Sequence, residues 1–469
     1  MKKILFVVNN LGCNGAPLYA YSVIQLLRKY NIRIDIWSYC NGMLYDNLVQ
    51  ERINVEIINP EITDRDVIGK KCRQYDCLVS FTICTYKIVQ ICCNLVPTIW
   101  YIHEGKNLPE YLKNVNCKRI FLQNHNMWVV SEYVQQYICE QWRKETKVIH
   151  NFVPDVREKY RKRNSLSNKI NFLIMGSMIE RKAYDVFLDS FFLLEEKLAN
   201  KCVVHYAGEI PDSEYANKIL SKIENYKNII NHGIVLGEEK YELFQKCDLV
   251  VVPSKDESCS LVALEAAMMG KPVIITENVG AKYMVDSQNG WMIKVDDVEG
   301  LHRLLREIIE GKYNLLEMGR QSRKKYIKYA TEEQYATKFI KYIEEFLPKN
   351  RKIWNFGHWF KYKLNKYRDE YEESPFGEVN IFQGSKIVIY GAGKNGIRWM
   401  EKLKSTKYCK VIAWVDKYIT NKEIKPLEEL NSISFDYILI SVMNPKVQKE
   451  IRKELEERGI ERAKILILK

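Results

Sequence analysis

The chain lacks any apolar run approaching the ~20 residues that a membrane-spanning helix needs. It also lacks cysteines at metal-ligand spacing. Its 13 cysteines are scattered and odd in number, and several lie in apolar runs, as Cys202 and Cys247 do. They read as reduced core thiols of a cytosolic protein rather than a disulfide framework or a metal site. Paired CxxC elements and basic heptads are missing too, which sets nucleic acid aside as a partner. The amino-terminal MKKILFVVNN has a charged start, but its apolar stretch is too short for a secretion signal and no cleavage-like site follows. It reads as a first strand, and the expected location is cytoplasmic.

What is present is enough for several cores. The 469 residues, 46% of them hydrophobic, give a prior of about three domains. Lys plus Arg exceed Asp plus Glu by 72 to 59, a net charge of +13. That excess favours anionic partners such as nucleotide phosphates or an acidic membrane surface, although a solvated basic surface gives the same number.

The most informative stretch is 247–290. Leu249 to Val252 is a short apolar run suited to a strand buried on both faces. Pro253 ends it, a polar loop carries Glu257, and Leu261 to Met269 has helical composition with Gly270 as C-terminal cap and Pro272 just beyond. Val273 to Thr276 is a second buried run. Glu257 in the loop and Glu265 on the helix, with seven residues between them, can both face the crevice at a strand's carboxyl end, where open α/β sheets bind ligands. The helix N-terminus is itself a seat for phosphate.

This ordered set, Pro253, Ser254, Glu257, Glu265, Gly270, Pro272, Val273, Ile274, Asn289 and Gly290, resembles the signature of retaining glycosyltransferases of family four. The resemblance implies an α/β GT-B fold: two Rossmann-like doubly wound domains facing a cleft, here with a small carboxy-terminal Rossmann-like domain. It implies transfer of a sugar from a nucleotide-diphosphate sugar to a saccharide or lipid-linked acceptor, with retention, no metal and no nominated nucleophile. By the same resemblance Glu257 contacts sugar hydroxyls, Ser258, Cys259, Ser260 and Leu261 offer backbone amides to sugar or phosphate, and Glu265 accepts from the ribose hydroxyls, a task suited to a carboxylate. The resemblance further implies a place in surface polysaccharide or glycoconjugate synthesis.

Residues 1–165 are expected to form the acceptor domain. Lys3 to Asn9 is a strand candidate, Leu11 to Pro17 a loop with Gly12 and Gly15, and a helix follows, so backbone N–H groups can approach an anion. Asn14-Gly15-Ala16 partly matches the family's Gly-Gly-Ala. Strands are expected at 33–38, 55–59, 77–81, 98–102, 119–123 and 128–131, alternating with helices as in a parallel doubly wound sheet. The Asp-x-Asp at Asp64 and Asp66 reads as a surface turn, with no metal assigned. His103 follows a strand end, where family members often place a His near the transferred sugar; a lone His there is as often structural.

Residues 166–345 are expected to bind the donor. After the strand Ile170 to Met175, Arg181 and Lys182 stand at a loop-to-helix junction able to hold a diphosphate. Lys182 matches the family's Lys, while Ser177 and Ala183 replace its usual Arg and second Gly. Residues 346–384 are a linker whose segment 349–368 mixes basic and aromatic side chains and is a candidate for an anionic membrane surface; packing of those aromatics on the protein itself gives the same pattern. Residues 385–469 read as a small Rossmann unit. Gly391, Gly393 and Gly396 form G-x-G-x-x-G, and Asp416 stands at the reach expected for an acid on a ribose, so an NAD-like or nucleotide ligand is a candidate there, as is a docking role. Two other functions follow from this reading: an NAD-dependent oxidoreductase working through residues 385–469, and a non-catalytic nucleotide-sugar-binding scaffold.

Overall fold

A computed structural model of the chain describes residues 3–12, 15–30, 32–123, 126–160, 169–347, 386–393, 395–397, 399–400, 410–419, 423–442 and 444–467. Asn14, the basic aromatic segment 349–368 and the linker 371–383 lie outside the described residues. The chain divides into two compact units, Met1–Phe360 and Lys361–Lys469.

The first unit holds two parallel sheets. One contains β1 (Lys3–Val8), β2 (Arg33–Ser38), β3 (Val55–Ile57), β4 (Cys77–Phe81), β5 (Thr98–Ile102), β6 (Met127–Val129) and β7 (Lys147–Val148), in the order β3-β2-β1-β4-β5-β6-β7. The other contains β8 (Ile170–Met175), β9 (Cys202–Ala207), β10 (Ile229–Asn231), β11 (Leu249–Val252), β12 (Val273–Thr276) and β13 (Gly290–Ile293), in the order β10-β9-β8-β11-β12-β13. The central strands are almost wholly buried, CLVSF in β4 and LVVV in β11 along their full lengths, because helices cover both faces of a parallel sheet. In each sheet the order reverses beside the first strand, between β1 and β4 and again between β8 and β11. Those reversals open crevices at the strands' carboxyl ends.

Sequence pattern places most of these elements, with one correction. Residues 119–123, expected as a strand, lie in the helix Lys118–Gln123. A short apolar run does not separate the two states by periodicity. Here β5 pairs directly with β6, Trp100 beside Met127, so the sheet has no slot for another strand. Only Phe121 of the run is buried, while Leu122 is exposed, as one face of a helix requires. The Asp-x-Asp is a helix start: Asp64 accepts from the N–H groups of Asp66 and Val67 and caps Arg65–Cys72.

The two halves share one core. The helix Glu332–Phe346, capped by Thr331, follows the second sheet but packs on the first. Phe339 meets Phe6 and Trp128 with ring centroids 6.2 and 5.4 Å apart, and Tyr335 meets Phe152 at 4.9 Å. The segment joining the halves is fastened by Tyr326, whose hydroxyl donates to the Val153 carbonyl at 2.9 Å. Arg323, 4% exposed, forks onto Asp155 with contacts of 3.0 and 2.5 Å and also donates to the Met268 carbonyl.

The second unit contains β14 (Lys386–Tyr390), β15 (Lys410–Asp416), β16 (Lys425–Pro426), β17 (Tyr437–Ile440) and β18 (Ile465–Ile467), all parallel, in the order β16-β15-β14-β17-β18. Among the described residues no helix is long and apolar enough to cross a membrane.

Asp155→Ala leaves the Arg323 guanidinium buried without its fork. Unfolding in urea should show a loss of about 3 kcal/mol, against a change within about 0.5 kcal/mol for the exposed Glu242→Ala control.

Candidate active site

The loop after β11 is held from three directions. The Ser254 carbonyl accepts from Thr276 Oγ1 at 2.6 Å. The Glu257 N–H donates to the Asn278 carbonyl at 3.1 Å, and the Gly280 N–H donates back to the Glu257 carbonyl at 2.8 Å. A Cβ on Gly280 would stand 1.9 Å from the Ser258 carbonyl oxygen, so this backbone approach excludes every side chain at 280. Glu257, 7% exposed, therefore has a fixed backbone. Its carboxylate accepts from Ser254 Oγ at 2.6 Å and pairs with Lys182 Nζ at 2.6 Å.

Lys182 arrives from the loop after β8, the neighbouring strand across the switch point. Gly176 and Gly208 both have positive φ, and a Cβ on Gly208 would lie 2.1 Å from the Gly176 carbonyl. Backbone thus packs on backbone below the loop. A short turn, Glu180–Lys182, follows, and Ala183 at φ +50° turns the chain into the helix Tyr184–Phe192. This left-handed conformation accounts for the glycine expected at 183 and supplied here by alanine, at a cost of roughly 1 kcal/mol. Arg181, also expected at the donor, donates from Nη1 to the Asp256 carbonyl at 2.7 Å. Arg181 and Lys182 therefore both meet the Asp256–Glu257 loop.

Ser258, Cys259 and Ser260 lead into the helix Leu261–Met269. Ser260 holds φ +101° and caps the helix by accepting from the Ala263 N–H, a strained arrangement for a residue with a Cβ. The first amides of a helix have no acceptor within it, so an anion can take them. Cys259 is buried and its thiol is pushed up to about 12 by burial, which makes it inert as a nucleophile. Glu265 lies on the buried face, 7% exposed, paired with Lys240 Nζ at 2.5 Å. Lys240 comes from the helix Gly237–Lys246, and sequence reading missed it because nothing local links residues 25 apart.

Burial acts differently on the two acids. It opposes ionisation of Glu257, but Lys182 and the Ser254 hydroxyl outweigh it and hold the carboxyl below the usual range. At Glu265 burial outweighs Lys240, and the carboxyl is raised. Burial also opposes the Lys240 ammonium, yet the Glu265 carboxylate keeps its pKa above the ordinary lysine value. The proton of that pair therefore belongs to the lysine.

The first half supplies the other wall. Gly15 starts the helix Gly15–Arg28 with φ +41°, and among the described residues a Cβ there would meet nothing within 4 Å. His103 stands just past β5 in an aromatic box, with ring centroids 4.5 Å from Tyr101, 5.5 Å from Tyr19 and 5.6 Å from Phe81. Its Nε2 is enclosed with no hydrogen-bond partner, and burial lowers its pKa to about 3. His103 is therefore neutral near pH 7. The neighbouring Glu104 is structural in this arrangement: its carboxylate accepts from the Ile83 and His103 N–H groups.

The halves meet along a seam that sequence reading did not identify. The Lys106 N–H lies 3.2 and 3.1 Å from the two Asp256 carboxylate oxygens, and the Tyr133 hydroxyl donates to Asp256 Oδ1 at 2.7 Å. Lys106 Nζ donates to Asn278 Oδ1 at 2.9 Å, and Ser131 Oγ to the Ser258 carbonyl at 2.6 Å.

In the second unit the three loop glycines differ. Gly391 has φ +110°, a Cβ on Gly396 would strike the Gly391 carbonyl at 1.8 Å, and a Cβ on Gly393 would meet nothing within 4 Å. Asp416 accepts from the Ala392, Tyr418 and Ile419 N–H groups, so its carboxylate already orders the loop.

Residues 156–333 match the family described as Glycosyl transferases group 1, and residues 383–466 match C2185-like, N-terminal. An uncharacterized glycosyltransferase of Methanocaldococcus jannaschii is 28% identical over 249 residues, 49% of this chain and 64% of the relative. The lipopolysaccharide glucosyltransferase WaaG of Escherichia coli is 28% identical over 160 residues, 34% of this chain and 42% of the relative. The chain thus spans less than two thirds of the length of either. The structure of Anabaena Alr3699/HepE in complex with UDP and glucose superposes with a TM-score of 0.61 at 16% identity, covering 73% of this chain and 99% of that one. Residues 156–333 accordingly resemble a group 1 glycosyltransferase domain, and the two doubly wound sheets have the GT-B fold.

The enclosed, neutral His103 gives a pH signature. Its folded pKa lies below the unfolded value of about 6.5, so the unfolded chain takes up the proton first and stability falls as pH drops below about 6.5, by up to about 1.4 kcal/mol per pH unit. His103→Phe should flatten this slope relative to the wild-type chain in urea unfolding measured between about pH 6 and pH 5. An unchanged slope would place the histidine in water.

Proposed function

We propose that the chain is a retaining, metal-independent glycosyltransferase of family four. It moves a sugar from a nucleotide-diphosphate sugar to a saccharide or lipid-linked acceptor, in surface polysaccharide or glycoconjugate synthesis at the cytoplasmic face of a membrane. The observation that carries this reading is the pair of buried acids, Glu257 and Glu265, each on its own lysine on either side of one helix N-terminus at a sheet's switch point. The group 1 match of residues 156–333 and the GT-B fold support it. WaaG, a lipopolysaccharide glucosyltransferase, and the UDP and glucose held by HepE support the substrate classes.

In this reading the diphosphate of the donor lies against Lys182, Arg181 and the amides of Ser258 to Leu261, with Gly15 facing it from the other half. Negative charge developing on the departing phosphate is stabilised there by groups already in place. Glu265 accepts from the ribose hydroxyls, and Lys240 neutralises it until they arrive. Glu257 accepts from sugar hydroxyls, and neutral His103 offers a donor or acceptor beside them. The acceptor hydroxyl attacks from the face the leaving group departs, so configuration is retained. An oxidoreductase working through residues 385–469 leaves the two-acid site without a task. Gly391, Gly393, Gly396 and Asp416 are kept as a candidate nucleotide site outside the transfer step, Gly393 having the room and Asp416 the ribose-facing chemistry once released from the loop.

Incubation with UDP-, GDP- and dTDP-sugars should release nucleotide from one class, and failure to release or bind any of them sinks the reading. Glu265→Ala should weaken donor binding about 10- to 100-fold, the worth of hydrogen bonds to a charged group. Glu257→Ala should lower kcat by a comparable factor, and unchanged kinetics in both variants would mean the acids belong to another task.

A further inference from the structure

We infer that Asp256 is a positioning residue, a latch that fastens the first half of the cleft to the loop carrying Glu257 and thereby sets where the first half stands against that carboxylate. The inference rests on the donor-site reading of Glu257 for its consequence, but not for the latch itself.

The Asp256 carboxylate is directed away from its own half. Both donors it accepts from, the Lys106 N–H and the Tyr133 hydroxyl, belong to the first half. Tyr133 is 6% exposed, and the Lys106 and Lys282 ammonium groups stand 5.3 and 5.0 Å from its ring centroid, one from each half. The seat is shaped for this carboxylate: a Cβ on Gly105 would lie 2.6 Å from Asp256 Oδ2, so a side chain at 105 and a seated Asp256 exclude each other. Two residues on, the Ser258 carbonyl accepts from Ser131 Oγ. The first half thus grips the Asp256 carboxylate and the Ser258 carbonyl, while Arg181 holds the Asp256 carbonyl and Lys182 the Glu257 carboxylate from the other half.

Because the Glu257 loop is fixed to its own half, separation of the halves must break the hydrogen bonds at 256 and 258. The closed arrangement of the cleft and the seating of the Asp256 carboxylate are therefore one equilibrium. A ligand that needs the closed arrangement binds in proportion to its population.

Hydrogen exchange on the full chain, resolved by peptide, tests the latch without any donor. Asp256→Ala should speed exchange about tenfold at residues 105–108 and at 255–260, since the Lys106 N–H loses its acceptor and the loop its anchor. Tyr133→Phe should do the same to a smaller extent, which covers the case of an alanine variant that folds poorly. Asp256→Asn, which keeps an oxygen for Lys106, should restore most of the protection. Calorimetry with UDP-glucose should show about tenfold weaker binding for the alanine variant and recovery in the asparagine variant. Wild-type protection at 255–260 in both Asp256→Ala and Tyr133→Phe overturns the proposal. If the wild-type chain fails to bind UDP-glucose, that bears on the donor reading, and the exchange result alone decides the latch.

Discussion

A carboxylate removed from water needs a cation or it gives up its charge, and this site contains two such carboxylates. Glu257 and Glu265 are each 7% exposed, and breaking a buried pair by removing one partner costs several kcal/mol. Each acid sits near β11, and each lysine comes from another element, Lys182 from the turn after β8 and Lys240 from the helix before β11. The two pairs tie the segments after β8 and β10 to the one after β11.

The rest of the first unit holds those connections in register. Parallel strands buried on both faces set the heights of the loops, and glycine lets them touch where side chains could not, at Gly208 on Gly176 and Gly280 on Ser258. Two of the positive-φ positions that carry a side chain, Ala183 and Ser260, stand at the starts of helices that face the crevice. Such strain persists where surrounding contacts over-determine the backbone, and here those contacts are Lys182 with Glu257 beside one turn and the Ser260 hydroxyl on Ala263 at the other.

Much of this was legible in the residues. Pro253, Gly270 and Pro272 punctuate the chain so clearly that β11, the helix Leu261–Met269 and β12 are found where the sequence predicts them. The glycine expected at 183 is replaced by alanine, yet the left-handed turn remains, so the pattern carried the backbone even where the residue departs. The stretch 119–123 failed because three apolar residues in a row carry no period. Lys240 and Asp256 failed for another reason: their partners are 25, 123 and 150 residues away, and side-chain pairing across that distance leaves no trace in local composition. The seam between the halves was invisible for the same reason.

The helix Glu332–Phe346 has a consequence for how the protein is made. The strand that completes the first sheet ends at Val148, but Phe339 and Tyr335, which cover Phe6, Trp128 and Phe152, are synthesised roughly 200 residues later. At about 5–20 residues per second on a ribosome, that is on the order of 10–40 s during which the first half stands with those aromatics uncovered. The nascent chain therefore carries an apolar patch that this later helix closes, and in that interval it is a natural client for a holding chaperone.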